Sequence, residues 1–385
     1  MVLFADMLGM PDDIDSWQVR ECLMHQINFS SRIKAGVLVT AVFQAACSGP
    51  DAPPPAVAGV SDSTQPTAGS VIAVSENAAA WEHPMTAWGD PDLQGIWPVG
   101  HMTSTPLERP VEFGERAQLT DEEYARRVES LDTRSAAYDN ENTNNRIGIG
   151  HWAETGSPQR QASLIVDPAD GRLPALTAAG RQRAETMGSS WNREVFDSIE
   201  DFDSWDRCIT RGLPMSMFPF HYNNGIEIMQ SPGYVVIRLE MIHETRIIPV
   251  DGRPSLDSKI RHWLGESRGR WEGDTLVIET TNFNGQGTST NRGTVGTPRV
   301  SYPVSQSFRM VERLSRVSDD RIDYTATIED PEFLTTSWTV KFPLILDPGY
   351  QFFEYACHED NSAVRNFIET SRFERGIVTP GHDNP

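Results

Sequence analysis

The sequence predicts a mainly β domain, an antiparallel meander that closes into a barrel and carries two or three peripheral helices. Three observations lead there. From about Ile226 onward the apolar residues recur at every second position through most of the remaining chain. Between these runs stand short turn clusters, Asp251-Gly252-Arg253-Pro254, Glu272-Gly273-Asp274, Ser318-Asp319-Asp320, Asp330-Pro331 and Asp347-Pro348-Gly349. Helical signals, in contrast, are confined to the flanks. Consecutive strands joined by tight turns form a meander, and closing it removes the two unpaired edges that an open sheet would expose.

The strands follow in order. Residues 234–248 alternate with Val235, Ile237, Leu239, Met241 and Ile247 on one face and Arg238, Glu240, Glu244 and Arg246 on the other. Residues 271–281, 306–315, 321–330, 335–346 and 351–357 read as further strands. Thr120 stands three residues before Glu123, a capping box that starts a charged helix running to about Tyr138. Residues 177–187 predict a second short helix, and residues 360–373 a helix that closes the domain.

Ahead of this domain the composition changes three times. Residues 1–23 are charged and aperiodic and read as a mis-annotated extension, with Met24 as the expected true start. Residues 24–34 carry Arg32 and Lys34, and residues 35–46 are apolar without a charge, which is the layout of an export signal and too short for a membrane span. The run ends Gln44-Ala45-Ala46-Cys47, which resembles a bacterial lipobox and makes Cys47 the expected lipidation site, although Gln44 stands where Leu is usual. Residues 48–80 are rich in Ala, Ser, Thr, Gly and Pro, a composition too poor in apolar surface to order itself, and read as a linker. The β-rich domain then spans residues 81–375, with a tail at 376–385. Together these features predict a periplasmic or outer-membrane-anchored lipoprotein, held to the membrane by an N-terminal lipid.

With 54 acidic against 33 basic residues, a formal charge of -21, the chain lacks the clustered cations that a nucleic-acid surface needs. Of its four cysteines only Cys208 and Cys357 lie in the mature domain. In an oxidising compartment they are available for one disulfide, with two buried thiols as the alternative.

Several local patterns, taken in order, resemble a large family of exported proteins of environmental bacteria. They are Asp167-Pro168-Ala169-Asp170-Gly171-Arg172, Trp205-Asp206-Arg207-Cys208, Ser231-Pro232-Gly233-Tyr234, Asp251-Gly252-Arg253-Pro254, the run 271–277 (WEGDTLV) and the run 354–359 (EYACHE). The resemblance covers residues 93–373, implies export and a single domain, and transfers no catalytic residue. The strand pattern bears a looser similarity to lipocalin-like barrels.

A barrel lumen would be the place for a small ligand, so polar residues in phase with an apolar face become the candidates. Glu312 shares phase with Phe308, Met310 and Leu314, His243 with Val235 to Met241, and His358 with Phe352 and Ala356. A carboxylate beside an imidazole could act as acid and base; a register slip would instead put each at the surface. Trp263, Arg268, Arg270 and Trp271 mix cationic and aromatic groups and, with Glu240 and Tyr355, form the expected ligand-binding set. Cys357, His358, Glu359 and Asp360 are adjacent and cannot converge on one ion from a strand, and Asp197, Glu200, Asp201, Asp203 and Asp206 lack the glycine and terminal glutamate of a calcium loop, so no metal is expected. No dinucleotide fingerprint, nucleophile elbow or zinc motif occurs, and no cofactor is expected. The expected function is binding of a small apolar or amphipathic molecule. An acid-base enzyme of hydratase, isomerase or lyase type and a cell-envelope interaction module are the alternatives.

Overall fold

The computed structural model describes residues 81–144, 150, 152–291, 293–359 and 361–377; Cys47, the segments expected as export signal and linker, and most of the expected C-terminal tail lie outside them. All described residues fall in the unit Trp81–Pro385. Among the described residues ten strands form two antiparallel sheets, of four and six strands. In order across the smaller sheet lie β1 (Gly95–Ile96), β3 (Ile226–Ser231), β4 (Tyr234–Leu239) and β5 (Thr245–Pro249). The larger runs β2 (Ile165–Asp167), β10 (Trp338–Ile345), β9 (Arg321–Glu329), β8 (Arg309–Ser318), β7 (Thr275–Thr281) and β6 (Glu266–Glu272).

The period-two pattern fixes the inner face of the larger sheet. Ile322, Tyr324, Ala326 and Ile328 of β9 are all fully buried, as are Met310, Glu312 and Leu314 of β8. Val235, Ile237 and Ile248 of the smaller sheet join the same core, together with Trp97, Phe218 and Trp338 from the flanking segments and β10. Aromatic edges interlock there: Phe218 lies 5.9 Å from Phe342, and Phe283 lies 4.8 Å from Phe308, ring centre to ring centre.

Among the described residues neither sheet closes on itself, and the expected barrel is not seen; the two antiparallel sheets share one core. The meander divides after β5, where the stretch beginning Asp251-Gly252-Arg253-Pro254 leaves the ladder before β6 begins. An earlier interruption matters more. Residues 234–248 are two strands rather than one, because Ile242 and His243 adopt left-handed backbone (φ 56° and 44°) and fold β4 back onto β5, Arg238 pairing with Thr245. A β-branched residue in that region is costly, so the turn is held from outside, by Leu239 N donating to Glu244 O at 2.8 Å and Glu240 N to Gly225 O at 3.0 Å. The side-chain phase inverts across it. Ile247, expected inward, is 64% exposed, and Arg246, expected outward, is 5% exposed and faces the larger sheet.

The helices sit at the periphery. Helix α1 (Asp121–Thr143) starts at the expected capping box, Thr120 Oγ1 accepting from Glu123 N and Glu123 reaching back to Thr120 N. Helix α2 (Ala178–Thr186) is capped by Thr177, whose hydroxyl accepts from Gly180 N at 3.0 Å. Helix α3 (Ala363–Glu374) packs Phe367 on Phe196 and Phe202. Residues 351–357, expected as a strand, form none, and run instead as an arm tied to the domain by side chains. No helix among the described residues is long and apolar enough to cross a membrane.

Candidate functional site

Glu312, His243 and His358 do not converge. Glu312 is fully buried and meets Arg246 end-on: Nη1 donates to Oε1 at 2.9 Å and Nη2 pairs with Oε2. Tyr324 Oη adds a bond to Oε1 at 2.9 Å, and Arg246 Nη2 also reaches Ser267 Oγ and Thr280 Oγ1. Burial, with the adjacent Glu312 charge, pushes the Tyr324 phenol well above its ordinary range. The cluster ties β5 to β6, β7, β8 and β9 and has its acceptors engaged, which suits an inter-sheet bolt rather than a reacting centre. His243 is exposed on the β4–β5 turn, with Nδ1 2.8 Å from Tyr355 O, and His358 is exposed on the arm.

Glu240 is 2% exposed and gathers three donors from two segments: Asn223 Nδ2 at 2.9 Å, Gly225 N at 3.1 Å and Phe353 N at 2.8 Å. Tyr350 Oη lies 2.7 Å from Glu240 and 3.0 Å from Glu154. One phenol proton cannot serve both carboxylates; burial, and after it the Glu240 charge, raises the Glu154 carboxyl above its ordinary value. This clasp holds the arm, as do Arg238 over the Phe352 ring at 4.3 Å and the bond between Cys208 and Cys357. Tyr355 packs against the small cluster of Trp205, Phe220, Met241 and Ile242.

In the cationic and aromatic run at β6 the arginines pair with neighbouring carboxylates. Arg268 pairs with Glu266 and Arg270 with Glu272, while Trp271 packs on the core and Trp263 carries the Arg207 guanidinium at 5.7 Å. Glu240 and Tyr355 stand with the arm, so the six residues form no common ligand surface.

The acidic loop is neutralised in part by arginines, Asp197 by Arg375 at 2.6 Å and Asp201 by Arg193. Among the described residues no group of three or more metal-capable side chains comes together. Asp203 accepts from Trp205 N and Asp206 N, both at 2.8 Å, yet burial and the Asp206 charge push it up to about 7. A carboxyl raised on folding stabilises the fold fully below its unfolded value, near 3.9, and that contribution is lost as the pH rises through the folded value. Asp203→Asn keeps the acceptor oxygen and cannot ionise. Relative to wild type, its melting midpoint is expected to gain as the pH is raised from about 4 to about 8; a constant difference between the two proteins across that range would contradict the assignment.

A concavity lies elsewhere, beside the β2–β10 edge. It is a cleft of about 220 Å³, in which Val166, Phe342 and Pro343 supply apolar surface and Arg109, Arg321 and Lys341 supply cations. Its walls are tied by Gln161, whose Nε2 donates to Ser163 O and Lys341 O at 2.7 Å each. The Asp167–Arg172 turn holds Arg109 in place: Arg109 Nη1 donates to Ala169 O at 2.6 Å and to Gly114 O at 3.2 Å, and Arg109 N to Gly171 O at 2.9 Å. Gly171 (φ 68°) is required there, since a Cβ would lie 2.8 Å from the guanidinium carbon. None of the six residues expected to bind ligand lines this cleft. Its sequence signal was the Asp-Pro-Ala-Asp-Gly-Arg turn, but Arg109 and Lys341 have no local pattern that marks them. No family model, curated protein or solved structure matches the chain.

Proposed function

We propose that the chain is an exported protein, anchored through a lipid on Cys47, whose β domain binds a small amphipathic molecule in the cleft beside the β2–β10 edge. The observation that carries this reading is the cleft itself, apolar on Val166, Phe342 and Pro343 and rimmed by charge, in a domain whose inter-sheet space is filled by side chains. The lipocalin comparison then extends to the antiparallel meander, with the binding place moved from a lumen to the outside of a sheet edge. An acid-base enzyme on Glu312, His243 and His358 gains no support from their positions. The interaction-module reading retains one favourable observation, the outward row Met229, Val236 and Ile247 across paired strands, with Met229 39% and Ile247 64% exposed.

Native mass spectrometry of the protein, purified from the envelope of the cells that make it, tests the proposal. A small molecule is expected to co-purify with wild type and to be lost from Ala117→Trp, which fills the cleft from an exposed position, with an unchanged melting midpoint. Retention of the same molecule by the variant, or an empty wild type, would overturn it.

A further inference from the structure

We infer that the cleft recognises its ligand by a carboxylate, so that the molecule bound is a small organic acid with a compact apolar body; this rests on the binding reading above. The argument starts from Arg109. Its residue is 2% exposed, it makes no ion pair among the described residues, and its Nη1 is used on two carbonyl oxygens. Nε is buried without a hydrogen-bond partner among the described residues. Taking a guanidinium out of water without a counter-charge costs several kcal/mol, and the nearest acidic influences, Asp170 and Glu115, do not outweigh the burial. The group is therefore held in a state that a bound anion would stabilise.

The unpartnered Nε selects the shape of that anion. The Nε–Nη2 edge of a guanidinium carries two parallel N–H bonds, the pair that matches both oxygens of one planar carboxylate. The surroundings are consistent in charge. Arg321 and Lys341 share a single carboxylate, Asp323, at 2.8 and 3.6 Å, and no acidic side chain lines the cleft. In a chain of formal charge -21, this is a place where an anion is drawn in rather than repelled. The apolar side is as specific: Val166 is 38% exposed beside Phe342 and Pro343, surface that covers a hydrocarbon body. At about 220 Å³ the cleft lies below the range of drug-sized sites, which limits the body to one ring or a short chain.

Titration calorimetry of the folded protein with phenylacetate, hexanoate, their neutral amides and inorganic phosphate tests the inference. The carboxylates are expected to bind at least about ten-fold more tightly than the amides and to weaken with added salt, as charge-assisted bonds require. Arg109→Gln should abolish that preference. Because Arg109 also holds two loop carbonyls, Lys341→Glu, a change at an exposed position, provides the second variant: it should reduce carboxylate binding about ten-fold and leave the amides unchanged. Amides bound as tightly as acids, or indifference to Lys341→Glu, would overturn the carboxylate while leaving the cleft as a binding place. A preference for phosphate would also overturn it. Should no probe bind, the molecule co-purifying with wild type decides: a carboxylic acid supports the inference, a neutral or basic one overturns it, and no co-purifying molecule defeats the binding reading as well.

Discussion

Glu312→Gln is expected to lower the free energy of unfolding by about 3–5 kcal/mol, because it leaves the Arg246 guanidinium buried without its counter-charge. The side chains of the pair are 3% and 0% exposed, so water cannot replace the lost partner, and the amide can offer Arg246 an acceptor on only one of its two arms. Denaturant titration should show the midpoint falling with an unchanged slope, since the surface exposed on unfolding is the same. The triple change Arg246→Leu, Glu312→Met and Tyr324→Phe should recover most of the loss, as replacing a whole buried polar cluster by packed hydrocarbon is often neutral or stabilising. A Glu312→Gln protein of wild-type midpoint that no longer binds ligand would show instead that the carboxylate is functional.

The same cluster shows how far the sequence could be read. Alternation placed Glu312 on the buried face of β8 correctly, since no bend interrupts Arg309–Ser318 before its last residues. It named the wrong partners, because His358 was placed by continuing a period through residues 351–357 and His243 by continuing one through residues 240–244. The turn there depends on two positive φ values at Ile242 and His243, residues that carry no turn signal, and on bonds from Gly225 and Glu244. Tertiary contacts decided the conformation, and with it which of Arg246 and Ile247 faces inward. Residues 351–357 failed for a related reason. Their alternation is real, but the arm is satisfied by Glu240, His243 and Cys208 instead of a neighbouring strand. The helices were legible because their signals, Thr120 with Glu123 and Thr177, act within one turn. The cleft was not. Arg109, Arg321 and Lys341 are far apart in sequence and meet only because β2 pairs with β10 against the Asp167–Arg172 turn.

Removing the Cys208–Cys357 bond, by Cys208→Ser with Cys357→Ser, is expected to destabilise the domain by at most about 5 kcal/mol, the loop-closure entropy for so long a span. The two residues are separated by 149 positions, and every one of β3 to β10 lies between them, so the link restricts the unfolded chain more than the folded one. In the folded state the arm keeps its other attachments, Phe353 N and Tyr350 Oη on Glu240 and Tyr355 O on His243. The loss should therefore appear as a lower denaturant midpoint with a somewhat larger slope, because an unlinked chain exposes more surface on unfolding. Ligand binding should be unaffected, since neither cysteine lines the cleft. Thiol titration of the denatured, unreduced protein should find neither residue reactive. Two free thiols there, or a wild-type midpoint that reduction does not move, would contradict the linkage and leave the arm held by Glu240 and its neighbours alone.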